Sequence, residues 1–175
     1  IHGLKTDSRK VQSGDAFIAL AGARTPAEHY MDQAISAGAT AILLESEQER
    51  QCHERHGALI VPVVGLRARL GRIADRFFEH PSRHLRVIGV TGTNGKTSVT
   101  QYISQLLRET GTPCGLLGTL GYGMPGSIES ATHTTPDVVQ VNRVLNRIRN
   151  EGGRAAVMEV SSHALDQGRV DNLTM

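Results

Sequence analysis

No apolar run in this sequence approaches the roughly 20 residues needed to cross a bilayer, so nothing in it reads as a membrane span. The N-terminal stretch IHGLKTDSRK lacks the apolar core of a secretory signal. Cysteine is scarce as well. Cys52 and Cys114 lie far apart and offer no disulfide framework, which fits a reducing, cytoplasmic setting. Nor is there an excess of one charge: 19 Lys and Arg stand against 17 Asp and Glu, interspersed, for a net +2. That balance gives no footprint for nucleic acid or for a membrane surface. Low-complexity segments and internal repeats are absent too. What is left is 175 residues, 39% hydrophobic and 21% charged, the composition of a globular protein with one large domain or two small ones.

Along the chain, apolar periodicity predicts an α/β organisation in two parts. Ala16–Leu20 reads as a strand, 29–37 as a short helix ended by Gly38, 40–45 and 58–64 as strands, and the polar 47–56 between them as helix-prone. A helix over 66–79 follows, with Leu66, Leu70, Ile73, Phe77 and Phe78 on one stripe. The stretch HPSRH breaks it, because Pro81 disfavours helix at the residue before it. The domain boundary is placed there: 1–82 as a small α/β domain and 83–175 as the start of a second one. The second part opens with a strand over 85–90 and a glycine-rich loop. A helix over 97–109 comes next, with Val99, Tyr102, Ile103, Leu106 and Leu107 expected to face inward. A short strand at CGLLG leads into a glycine-rich loop reaching Thr135, which is placed as N-cap of a helix with Pro136 its first residue and Asp137 favouring the dipole. The apolar run 155–160 is a buried strand. Strand, loop and helix repeated in this way imply a mostly parallel sheet. The chain stops a few residues later, so a piece of a longer protein is expected.

The stretch VIGVTGTNGKTSVT, Val87 to Thr100, carries the first chemistry. Its glycines, lysine and hydroxyl are those of a phosphate loop, but Val90 stands where the usual G-x-x-x-x-G-K-[ST] spacing has its first glycine. The context still suits an anion. A strand enters, glycines permit close backbone approach, and a helix N-terminus begins just after them. Lys96 can neutralise a β/γ-phosphate and Thr97 can offer a hydroxyl to Mg²⁺. The competing reading, a plain turn with a solvated lysine, does not call for all these residue types together. In MEVSSHALDQGR, Glu159 ends an apolar strand, at the strand end where open parallel sheets bind ligands. A carboxylate in so apolar a strand needs a partner. The Ser161 and Ser162 hydroxyls are accounted for equally well by helix capping. In HTTPD, capping explains Thr135 but leaves Thr134 unexplained.

Taken in order, TGTNGKT, HTTPD and MEVSSHALDQGRV resemble the Mur ligases of peptidoglycan synthesis, above all the branch that adds the third amino acid to the muramoyl peptide. TDSRKVQSGDAFIALAG and MDQAISAGATAILLE are similar to that branch's uridine-binding domain, so the resemblance covers nearly the whole chain. It implies a small N-terminal α/β uridine-binding domain followed by a P-loop, mostly parallel-sheet ATP-binding domain. It also implies an ATP-dependent amide ligase that activates the carboxylate of a UDP-N-acetylmuramoyl dipeptide as an acyl phosphate, which the amine of meso-diaminopimelate or L-lysine then attacks. By that resemblance Gly92, Thr93, Asn94, Gly95, Lys96, Thr97 and Ser98 cradle ATP, Lys96 and Glu159 are catalytic, and Thr97 and Glu159 hold Mg²⁺. The UDP-muramoyl peptide would meet Thr6, Ser8, Ala23, Arg24, Thr25, Thr134, Thr135, Ser161, Gln167 and Arg169, the last with a guanidinium fork suited to phosphate or carboxylate. Small-molecule substrates, no nucleic acid, no membrane and a monomeric state go with this reading.

Two departures from the family pattern stand out: Thr6, where Leu is frequent, and Pro26-Ala27, where an Asp-Gly pair is frequent. The family's later acidic–histidine motif, carbamylated lysine and C-terminal domain have no counterpart in these 175 residues, so the chain alone is expected not to ligate. The cousin ligases that extend folate with glutamate have a similar loop, but lack MEVSSH and a uridine-type N-terminal domain. A nucleotide-binding module without chemistry is the other alternative. CHERH, Cys52 to His56, has no second ligand cluster to complete a metal site.

Overall fold

The computed structural model describes residues 1–22 and 26–175. It divides into two compact units, Ile1–Leu70 and Gly71–Met175.

In the first unit the strands β1 (Leu4–Lys5), β2 (Ala16–Ala19), β3 (Ala41–Ser46), β4 (His53–Arg55) and β5 (Ala58–Val64) form one sheet in the order β1-β2-β3-β5-β4. All neighbours are parallel except β4, which pairs antiparallel with β5. Phe17, Ala19, Ile42, Leu44 and Ile60 alternate along the strands and pack with Met31 and Ala34 of α1 (Met31–Ser36). Segment 47–56 is not helical: its last residues form the edge strand β4. The cause is the turn that follows. His56 (φ 48°) and Gly57 (φ 82°) both take positive φ, as a two-residue hairpin loop requires, and this folds 53–55 back onto β5.

Helix α2 (Leu66–Phe77) crosses the division, which falls upstream of the Pro81 break. Its later part belongs with the second unit because Gly71 lets the helix approach 171–172. A β-carbon at position 71 would lie 2.9 Å from the Asp171 carbonyl oxygen.

The second unit is a three-layer sandwich. Strands β6 (Arg86–Val90), β7 (Cys114–Gly118), β8 (Gly121–Gly123) and β9 (Ala155–Glu159) run in the order β6-β9-β7-β8. β9 is parallel to both neighbours, and β8 is an antiparallel edge inside what the sequence suggested was continuous loop. Ala155 and Val157 pack on the side of Ile103 and Leu107 of α3 (Lys96–Glu109). Ala156 and Met158 pack on the side of Val141, Val144, Leu145 and Ile148 of α4 (Val138–Asn150). Both faces of β9 are thus covered, which explains its unbroken apolar sequence.

Two expectations are corrected. Val99, Tyr102 and Leu106 are exposed, at 43%, 71% and 66%. The inward face of α3 carries Thr100 and Ser104, both buried, beside Ile103 and Leu107. Positions 100, 103, 104 and 107 share one helical face, and the apolar residues at 99, 102 and 106 lie off it. Helix α4 starts at Val138 with Asp137 as N-cap, its carboxylate accepting from Val139 and Gln140 at 3.0 Å each. Thr135 does not cap it, because its hydroxyl is engaged elsewhere. Among the described residues no helix is long and apolar enough to cross a membrane.

Candidate functional site

Because β6, β9 and β7 are parallel, their carboxyl ends lie side by side, and each supplies one part of a polar cluster. From β6 the chain enters Thr91–Gly95, an exposed loop in which Gly92 (φ 145°) and Gly95 (φ 80°) take conformations that L side chains rarely adopt. Gly95 is the N-cap of α3 and has no side chain to cap it. By contrast α4 is capped by Asp137, and the short α5 (Ser162–Asp166) by the Ser161 hydroxyl, which accepts from Ala164 N–H at 3.2 Å. Among the described residues the N-cap of α3 makes no side-chain cap bond, and the opening N–H groups carry the positive end of the helix dipole. Lys96 Nζ donates to the Gly92 carbonyl at 2.7 Å and to the Thr93 carbonyl at 3.4 Å, so the cation lies over the loop.

β9 delivers Glu159, whose residue is only 2% exposed. Its two oxygens have distinct partners. Oε2 accepts from the Thr97 hydroxyl at 3.0 Å and the Thr119 hydroxyl at 3.3 Å; Oε1 accepts from Thr119 N–H at 2.9 Å. Thr119 leaves the end of β7, and its hydroxyl also meets that of Thr134 at 3.2 Å. Glu159 further borders a cavity of about 290 Å³ whose walls include Thr100, Gln101, Arg108 and Leu116.

The Thr97 hydroxyl and the Glu159 carboxylate stand together as hard oxygen donors, the kind of ligand that Mg²⁺ takes.

The sugar-side candidates of this unit are drawn together by Thr135, which is 1% exposed. Its hydroxyl donates to the Glu159 carbonyl at 2.7 Å and accepts from Ser161 N–H at 3.2 Å. Its carbonyl accepts from Arg169 Nη1 at 2.6 Å, while Arg169 Nε and Nη2 grip Gln167 Oε1 at 3.0 and 2.6 Å. Both acceptors are neutral, so nothing in these bonds cancels the guanidinium charge. The HTTPD loop is pinned from below by the buried Tyr122, whose hydroxyl donates to the His133 carbonyl and accepts from His133 N–H.

In the first unit Thr6 and Ser8 line a cavity of about 590 Å³ together with Arg9, Phe17, Tyr30 and Gln33. The Ser8 hydroxyl donates to Gln33 Oε1 at 2.7 Å. Asp7 pairs with Arg9 at 2.8 Å, and that hydrogen-bonded guanidinium holds the Asp7 carboxyl below the usual carboxylate range. Ala23, Arg24 and Thr25 lie outside the described residues. Among the described residues no trio of His, Cys, Asp or Glu gathers to hold a metal; Cys52, His53 and His56 stand on the exposed β4 hairpin or just before it.

Sequence reasoning missed Thr119 and Gly118. A β-carbon at Gly118 would sit 2.3 Å from Glu159 Oε1, so the carboxylate occupies the space that the glycine leaves. The signal was available: the polar residue at the end of a parallel strand that singled out Glu159 singles out Thr119 by the same rule.

Comparison with known proteins identifies the family. The Mur ligase family, catalytic domain, model matches residues 1–78, and the Mur ligase middle domain model matches 90–175. The UDP-N-acetylmuramoyl-L-alanyl-D-glutamate--2,6-diaminopimelate ligase of Alkalilimnicola ehrlichii is 48% identical over 97% of this chain and 36% of its own length. The ligase of the same name from Xanthomonas oryzae pv. oryzae is 50% identical over 98% of this chain and 34% of its own. A solved diaminopimelate ligase structure superposes with a TM-score of 0.76 at 33% identity, over 98% of this chain and 34% of that one. The chain therefore spans about a third of the length of these relatives. With two of the family's domains matched in order and a fold shared with its solved members, the chain belongs to the Mur ligase family.

Proposed function

We propose that this chain supplies the UDP-sugar-binding unit and the nucleotide-binding core of an ATP-dependent amide ligase. The whole enzyme would join diaminopimelate to a UDP-N-acetylmuramoyl-L-alanyl-D-glutamate acceptor, as the names of its relatives state for them. The observation that carries this reading is the Thr97–Glu159 pair beside the uncapped N-terminus of α3. In phosphoryl transfer the protein has little covalent work to do; positioning and charge neutralisation dominate.

Each group then has a task. The loop 92–98 and the first N–H groups of α3 receive the phosphates of ATP. Lys96 exchanges its two loop carbonyls for the β/γ-phosphate oxygens. Thr97 and Glu159 would hold Mg²⁺, which when bound neutralises phosphate charge. Thr134, Ser161, Gln167 and Arg169 surround the approach to the same strand ends and would orient the muramoyl peptide, so that its carboxylate meets the γ-phosphate and the resulting acyl phosphate meets the amine. Thr6 and Ser8 line the cavity that would take the uridine end, and Ala23, Arg24 and Thr25 are assigned to it by the family resemblance alone. No side chain is needed as a nucleophile.

The test uses the full-length protein containing this chain. ADP release should require both the UDP-muramoyl dipeptide and diaminopimelate, and Lys96→Ala should lower kcat/KM by roughly 10²–10³-fold, the usual cost of removing a group that stabilises transition-state charge. ADP release indifferent to the dipeptide, or unchanged in Lys96→Ala, would overturn the reading.

A further inference from the structure

Glu159 is a buried carboxylate held by Thr97 and by a residue outside the motifs, Thr119. We propose that Thr119 is a positioning residue that sets the Glu159 carboxylate for the divalent cation, an inference that rests on the nucleotide-binding reading above. Three observations carry it.

First, among the described residues Thr119 is the one that reaches both oxygens of the carboxylate. Its N–H donates to Oε1 at 2.9 Å and its hydroxyl meets Oε2 at 3.3 Å. Two donors on one residue fix the rotation of a carboxylate plane, which the single Thr97 hydroxyl at 3.0 Å does not. Second, the residue before it makes the room. Glu159 Oε1 lies where a β-carbon of Gly118 would be, at 2.3 Å. Gly118-Thr119 is thus a paired device: an absent side chain admits the carboxylate and the next residue clamps it. Third, the Thr119 hydroxyl is itself oriented. It also meets the Thr134 hydroxyl, 3.2 Å away. The contacts link Thr134, Thr119 and Glu159 Oε2, the oxygen on which Thr97 also donates, and join the loop before α4 to the phosphate-loop helix.

Partners that orient a metal-binding carboxylate typically cost 10–100-fold in metal affinity when removed. Thr119 is exposed, so a near-isosteric Thr119→Val leaves the core untouched and keeps the backbone donor. The experiment titrates ADP into the full-length protein containing this chain by calorimetry, with and without Mn²⁺, and counts bound Mn²⁺ by electron paramagnetic resonance. Wild type should bind ADP more tightly with Mn²⁺. Thr119→Val should keep its melting temperature and its cation-free ADP affinity but lose about tenfold of the Mn²⁺-dependent gain, and Thr119→Ser should recover it. An undiminished gain in Thr119→Val overturns the proposal. So does a loss that appears equally without Mn²⁺, or one that Ser does not restore, since those mark a structural role. A wild type with no Mn²⁺-dependent gain at all overturns the underlying nucleotide reading together with the proposal, and is recognised before any variant is made.

Discussion

Replacing Gly118 by alanine adds one methyl group and should disable Glu159. The new β-carbon would stand 2.3 Å from Oε1 and 2.9 Å from the carboxylate carbon, where ordinary contact begins at 3.4 Å. The oxygen must therefore retreat by about 1.1 Å, the difference between 3.4 and 2.3 Å. A shift of that size breaks its 2.9 Å bond from Thr119 N–H and strains the 3.0 Å bond from Thr97. A hydrogen bond to a charged group is worth about 1.5–3 kcal/mol, and Glu159 is only 2% exposed. Gly118 has no positive φ, so backbone strain adds nothing. The cost should be about 2 kcal/mol. Amide exchange along β9 reports it locally: if the strand exchanges through opening of its unit, protection should fall roughly 30-fold. The decisive control is Glu159→Ala, which removes the group that Gly118→Ala collides with. In that background the glycine substitution should cost under about 0.5 kcal/mol, the limit for uncoupled sites. Equal costs in both backgrounds would refute the steric argument.

Three further outcomes follow from particular contacts. Asp137→Ala removes the α4 cap and should destabilise Gly71–Met175 by about 1 kcal/mol, whereas Thr135→Val should act on the Glu159 carbonyl and Ser161 instead; urea unfolding followed by circular dichroism separates them. Glu129 is held below its ordinary carboxylate value by the hydrogen-bonded Arg143, with Arg147 beside it. Because the folded value is the lower one, its contribution is complete above the unfolded value near 4.5 and is lost as pH falls through the folded one. Wild type should accordingly lose its advantage over Glu129→Gln in acid-range melts and keep it at neutral pH. Phosphate release by the 175-residue chain, dependent on dipeptide and diaminopimelate, should be undetectable by a coupled assay; its detection would show that the matched third of the relatives' length suffices for chemistry.

Much of the fold was legible because it rests on local rules. The run 155–160 reads as a buried strand since both of its faces are covered, and 58–64 coincides with β5 residue for residue. The failures share a cause: decisions made by distant partners. Segment 47–56 has helix-prone composition, yet a two-residue turn at His56-Gly57 and the free edge of β5 pull its end into a strand. Apolar spacing on α3 pointed to Val99, Tyr102 and Leu106, but the sheet is met by Thr100 and Ser104. Thr135 has the chemistry of an N-cap, and Asp137 takes that role because Thr135 is bonded to the end of β9. At the candidate site the motif residues were visible one by one, and their gathering was foreseeable only from parallel topology. Thr119 could have been marked as the polar residue ending a parallel strand, but its tie to Glu159, 40 residues later, shows only in the fold.

The most direct test of the account is calorimetric titration of a non-hydrolysable ATP analogue into the 175-residue chain, with and without Mg²⁺, for wild type, Lys96→Ala and Glu159→Gln. The account predicts binding by wild type that Mg²⁺ strengthens, a loss of about tenfold or more in Lys96→Ala at any Mg²⁺ concentration, and loss of only the Mg²⁺-dependent gain in Glu159→Gln. Binding that ignores Mg²⁺ and both substitutions, or no binding to the chain at all, would contradict it.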